Sequence, residues 1–236
     1  MNTATRGSRR EFPAVAVIVA EADTVTIYDG DDPDLPMWMV FDVASNYAIG
    51  TGTSITSISC LNSILFAASS AGGVFEISFI KDSSYRRFDS TSTATGPWLG
   101  SLFNRNSAIG YSYTGTDLIV NGDCNDVAMT VLPNAPIDPA TGLPVPTIAV
   151  ATGGGVSVIK DDGTVFNPVI GTYDQADLAF NEDWSIMSVG RLADRSFKVG
   201  LKNDEFAFET SGGNNTQYVG ELNIAGESWT TLLEDQ

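Results

Sequence analysis

The chain has 236 residues, 43% of them hydrophobic, and a formal net charge of −17. That length buries a sizeable core in one large or two small domains, and the longest apolar runs fall far short of the roughly 18 residues a membrane helix needs, so a soluble protein without membrane insertion is expected. Histidine is absent, which excludes Ser-His-Asp and Cys-His catalysis and His-containing zinc sites, and the lack of Lys and Arg from Phe12 to Ile80 and from Asn106 to Ile159 argues against nucleic acid as a partner, because phosphate counterions must be displaced by cations.

Residues 1–11 form a basic arm in which Arg6, Arg9 and Arg10 are candidate partner-docking residues. The run "AVAVIVA" (Ala14 to Ala20) that follows has the outline of a secretory signal ending at Ala20-Glu21-Ala22. Its alternation of Val or Ile with Ala, however, fits a packed strand, and cleavage would remove half of a hairpin whose other half is "TVTIYDG". No signal peptide is therefore expected. "DGDDPD" reads as an acidic turn and "MWMVF" as a buried run holding Trp38.

"ILFAASSAGGVFEISFIKD" (Ile64 to Asp82) is the clearest copy of a repeat made of strand, small-residue turn, strand and Lys-Asp exit. "TIAVATGGGVSVIKDD" (Thr147 to Asp162) matches it best, Ala14 to Gly30 is a further copy, and Ser185 to Leu201 a weaker one. With Val17, Ile64, Ile148 and Ile186 taken as equivalent, the copies lie 47, 84 and 38 residues apart. The wide middle gap predicts a degraded or rebuilt unit near Asn106 to Gly122. Ser54 to Asn62, Asn125 to Pro133 and Gln175 to Asp183 supply a strand before three of the copies, and "SSYRRFD" and "TVFNPV" an outer strand after two. Four strands per unit of about 40 residues predict an all-β fold: a β-propeller or propeller-like array of about four to five antiparallel blades over residues 12–209. Residues 89–100 read as a linker or surface loop, and 132–146, with five prolines, as a loop excluded from a central strand. Residues 210–236 lose the rhythm and read as a C-terminal tail that closes the ring, docks or begins a further segment.

Candidate chemistry is sparse. Asp29, Asp31, Asp32 and Asp34 are dense enough in oxygen to suggest a Ca²⁺ site, although an EF-hand register would place Val40 where the bidentate glutamate belongs; no other cofactor is expected. Trp98, beside Gly96-Pro97, is the best aromatic candidate for stacking on a sugar. "KDDGTVF" and "TGGGVS" read as hairpin turns. Cys60 and Cys124 do not make a disulfide framework and read as buried free thiols. No catalytic residue is assigned.

The phrases "FPAVAVIVAEADTVTIYDGDDPDLPMWMVF" and "NDVAMTVLP…PTIAVATGGGVSVIKDDGTV" resemble propeller-like segments of tail-fibre and appendage proteins of tailed bacteriophages, over roughly Phe12 to Val169. The resemblance implies a non-enzymatic structural or attachment protein of the virion, assembled in the host cytoplasm as a homo- or hetero-oligomer with other virion proteins, with a host-surface glycan as a candidate ligand. It carries over no catalytic residue. A carbohydrate-binding or glycan-hydrolysing propeller and a secreted bacterial adhesion module are the alternatives.

Overall fold

The computed structural model describes residues 12–50, 53–89, 94–167, 174–182, 184 and 186–189, with the backbone alone for 190, 195–202, 205–212 and 219–220. Among the described residues there are four open antiparallel sheets, and in each the strand order is the chain order. The first sheet comprises β1 (Ala16–Ala20), β2 (Thr24–Asp29) and β3 (Met37–Asp42). The second comprises β4 (Ile55–Leu61), β5 (Ile64–Ser69), β6 (Gly73–Ser78), β7 (Ser83–Arg87) and β8 (Gly96–Pro97). The third comprises β9 (Cys124–Thr130), β10 (Thr147–Thr152), β11 (Gly155–Ile159) and β12 (Val165–Phe166), and the fourth β13 (Gln175–Phe180), β14 (Ile186–Gly190), β15 (Arg195–Lys202), β16 (Glu205–Gly212) and β17 (Val219–Gly220). No α-helix occurs among the described residues, and none of their elements is a helix long and apolar enough to cross a membrane.

The repeat hairpins are the β1–β2, β5–β6, β10–β11 and β14–β15 pairs. They form where period-2 apolar patterns flank turn residues. In the third sheet the turn uses Gly155 at φ 133°, a conformation that disfavours any side chain.

Side chains alternate faces along each strand, so every middle sheet presents apolar residues both ways. Leu65, Ala67, Phe75 and Ile77 pack with Val25, Ile27, Met39 and Phe41 of the first sheet. Phe66, Ala68 and Val74 pack with Val127, Ile148 and Val150 of the third. Ala149, Ala151, Val156 and Val158 meet Leu178 and Ile186 of the fourth. The sheets therefore cover one another in series, and each burial removes the apolar face that a lone sheet cannot hide.

This packing corrects the repeat register. Ile64 packs against the cluster shared with the third sheet, and Ile148 lies in that same cluster on the opposite sheet. The residue that faces backwards as Ile148 and Ile186 do is Leu65, which meets the first sheet. A shift of one residue exchanges the two faces of a strand, so Val17, Leu65, Ile148 and Ile186 are the structurally equivalent set.

Residues 98–123 are not a rebuilt blade. They carry a single 3-10 turn, Leu102–Asn104, and an isolated bridge between Trp98 and Tyr111, but no further strand. The segment is a strap that closes the cores: Trp98, Leu102 and Tyr111 enter the first cluster and Ile119 the second. Arg105, buried, donates from Nε to the Val40 carbonyl and lies 5.7 Å over the Phe41 ring, tying the strap to β3. The stretch read as a linker is partly built in as well, because Gly96 and Pro97 pair with Arg86 and Tyr85. The Pro-rich segment does form a loop between β9 and β10, held by Asn62 Nδ2 donating to the Pro144 carbonyl and by a 2.8 Å Lys81–Asp138 ion pair. Both cysteines are free thiols; Cys124 is buried as expected, but Cys60 is exposed.

Candidate functional site

The acidic turn uses its carboxylates locally. Asp31 accepts hydrogen bonds from the amides of Ala14 and Val15, both at 3.0 Å; Asp29 accepts from the Asp31 amide at 3.1 Å; Asp32 accepts from the Asp34 amide at 3.0 Å. Short acidic side chains next to backbone donors favour such turns. Among the described residues no three acidic or cysteine side chains converge to hold a metal ion, so Asp29, Asp31, Asp32 and Asp34 do not assemble a cation cradle here.

Trp98 is core and not a sugar platform. It is 4% exposed, and its Nε1 donates to the Asn46 carbonyl at 2.9 Å. The ring lies so close over Gly100 that a Cβ there would come within 2.4 Å of it. The strap buries this ring, and strap contacts cannot be read from local pattern. Arg6, Arg9 and Arg10 lie outside the described residues.

Sequence reasoning missed the row of polar side chains along the first strands of successive sheets. β4 packs against β9, and β9 against β13. Ser57 on β4 donates from Oγ to Asp126 Oδ1 on β9 at 2.5 Å. The other Asp126 oxygen accepts from the Leu178 amide on β13 at 3.0 Å, and the carboxyl of Asp177, the residue before Leu178, is close enough to interact with that of Asp126. Thr56 Oγ1 donates to the Cys124 carbonyl at 2.7 Å, and Asn125 Nδ2 bridges to the Asp174 carboxylate and the Gln175 carbonyl, each at 2.7 Å.

Partial burial opposes the charge on Asp126, but donation from Ser57, the Leu178 amide and Asp177 outweighs it, and the group is held below its ordinary value of 3.8. The hydrogen bond to Asp126 is the main cause that raises Asp177, with burial and the neighbouring negative charge adding to it.

A second polar cluster lies at the outer part of the second sheet. Arg87 Nη1 meets Glu76 at 2.7 Å, its Nε lies 3.1 Å from Asp117 of the strap, and its guanidinium sits 4.7 Å over the Tyr85 ring. Tyr85 donates its hydroxyl to Asp117 at 2.8 Å, and its phenol is pushed up to about 12 by burial and by Asp117. Arg86, on the opposite face, is buried over Phe88 at 4.7 Å and donates to the Gly72 carbonyl at 2.8 Å. Every one of these groups binds one part of the protein to another.

No family model and no curated relative matches the chain. Among solved structures it is similar to the computationally designed Ika8 protein, at 12% identity and a TM-score of 0.32 over 89% of this chain and 69% of that one; a likeness at that score decides nothing about fold or function.

Proposed function

We propose that this chain is a non-catalytic scaffold and recognition protein of a tailed-phage virion, a tail fibre or appendage component whose sheets are arranged as the blades of a propeller-like array. The observation that carries the scaffold reading is the chain of polar contacts Ser57–Asp126–Leu178, which joins sheet to sheet where an active site would hold such groups ready for a substrate. The side-by-side first strands and the two-faced middle sheets favour blades around a common axis. The virion assignment rests on the sequence resemblance of the segments between Phe12 and Val169. In this reading the partners are other virion proteins in a homo- or hetero-oligomer assembled in the host cytoplasm, the surface serves host attachment, and the acidity keeps a displayed surface from nonspecific adhesion.

Cross-linking mass spectrometry on intact particles tests this: peptides of this chain linked to other virion proteins are expected, and absence of the chain from purified particles overturns it. A glycan array with a hydrolysis assay tests the non-catalytic half, where sustained turnover of any polysaccharide is the adverse result. Averaged particle images test the blade arrangement, with sheets radiating from one axis expected.

A further inference from the structure

The sheets meet in the same sense at each internal junction. The back face of one sheet, turned toward the sheet that follows, packs on the front face of that next sheet. Ile18 of the first sheet shares a cluster with Leu65 and Ala67 of the second. Phe66 and Ala68 of the second share one with Ile148 and Val150 of the third, and Ala149 and Ala151 of the third share one with Ile186 of the fourth. Because side chains alternate along a strand, β1, β5, β10 and β14 each carry both a front row and a back row.

The two ends of the series keep these rows and lack the cover. On β1 the front row is Val17 and Val19, which correspond to Ile148 and Val150 and stand 42% and 43% exposed. Met37 lies on the same face, since it pairs with Tyr28 and Tyr28 with Val17, and it is also exposed. On β14 the back row is Met187 and Val189, which correspond to Ala149 and Ala151 and stand 46% and 51% exposed. Ile186, on the other face of β14, is fully buried. The outward face of an antiparallel sheet that borders water is ordinarily polar. Here both outward rows are apolar, and both are exposed within the one chain, so its two ends do not cover one another.

We infer that a second copy of the chain completes the series, with Val17 and Val19 of each copy packed against Met187 and Val189 of the other. One end of the chain is an uncovered front and the other an uncovered back, the two kinds of face that join at every internal junction. A two-fold pair satisfies both ends at once, because the symmetry makes the same junction twice. It doubles the four sheets of one chain and so reaches the upper end of the about four to eight that propeller rings hold; a third copy would exceed it. The rows themselves carry no charge, so two chains of net charge −17 can approach there with less repulsion than over an acidic surface, and the unbranched Met187 adapts to an irregular partner. The inference rests on the propeller-like reading and deepens it by naming the partner as a second copy and the surfaces as these two rows.

Sedimentation of the full chain over a concentration series is expected to give a species of twice the chain mass. A front variant, Val17→Asp/Val19→Asp, and a back variant, Met187→Asp/Val189→Asp, are each expected to associate at least about tenfold more weakly, because a charge set in an apolar junction must be desolvated. The two variants mixed are expected to recover a pair, since the intact back of the first meets the intact front of the second. A monomeric native chain, a pair that survives either variant, or a mixture that associates no better than its parts overturns the inference. Peroxide oxidation of Met187 in the native protein needs no variant to fold: its rate is expected to fall several-fold as concentration rises, and a constant rate overturns the inference. A monomer whose averaged images still show sheets around one axis sinks the inference and leaves the propeller-like reading standing.

Discussion

Ser57 and Asp126 stand 69 residues apart in the chain, yet the Ser57 hydroxyl donates a 2.5 Å hydrogen bond to the Asp126 carboxylate. Both occupy the same register position on neighbouring first strands. Asp126 also accepts from the Leu178 amide, so one side chain joins three sheets. Asp126→Ala leaves these donors without a partner and is expected to destabilise the fold by about 2–3 kcal/mol, the range for charge-assisted bonds. Asp126→Asn, which keeps an acceptor, is expected to lose less. Urea unfolding of both variants checks the difference.

The Asp126–Asp177 pair gives stability an unusual pH dependence. Asp126, lowered in the fold, contributes stability that is present above 3.8 and lost as pH falls through its depressed value. Asp177, raised in the fold, contributes stability that is present at low pH and lost as pH rises through its elevated value. The pair therefore supports the junction of the third and fourth sheets best between those two values, which bracket 3.8. Asp177→Asn retains a donor to Asp126 without the second charge. It is expected to be more stable than the native chain at pH 7, by less than about 1 kcal/mol because the site is solvent-screened. The gap is expected to close as pH falls below the raised Asp177 value, measured as denaturant midpoints across a pH series.

Trp98 fills the junction between strap and core. Trp98→Ala is expected to cost about 3–5 kcal/mol, the range for removing a large buried aromatic ring. Trp98→Phe keeps part of the ring, loses the bond to the Asn46 carbonyl, and is expected to cost less. Thermal unfolding checks the order, and a Trp98→Ala protein as stable as the native chain would contradict the burial described here.

Arg87 balances Glu76 and Asp117. Arg87→Met keeps much of the contact with Tyr85 but leaves two partly shielded carboxylates facing each other. A loss of about 2 kcal/mol is expected, below the cost of breaking a fully buried pair. Chemical denaturation of the variant beside the native chain checks the size of the loss.

Gly73 has φ +81°, and a Cβ there would lie 2.2 Å from the Arg87 carbonyl oxygen. Its amide donates to the Gly122 carbonyl at 2.8 Å, linking the β5–β6 turn to the approach to β9. Gly73→Ala is expected to cost more than about 1 kcal/mol, since strain and clash add. Gly142, also at positive φ but with open space around it, is expected to tolerate Ala better. The two melting temperatures side by side check the comparison.

The amino-acid sequence alone determined the hairpins. Alternating Val, Ile and Ala around Gly, Ser and Asp turns is local information, and it placed β1–β2, β5–β6, β10–β11 and β14–β15 together with the first strands of three sheets. It also determined that the Pro-rich stretch before Thr147 is a loop, because proline removes ladder donors. Which face each residue presents was decided only by the tertiary structure: Ile64 and Leu65 are equally apolar, and the sheet lying beyond each strand chose between them. The same holds for Trp98, buried by a strap with no periodicity, for the acidic turn, whose Asp31 is engaged by Ala14 and Val15, and for the Ser57–Asp126–Asp177 row. A hydrogen bond between residues dozens of positions apart leaves no local pattern. It exists because sheets stacked in series bring equal register positions of their first strands together.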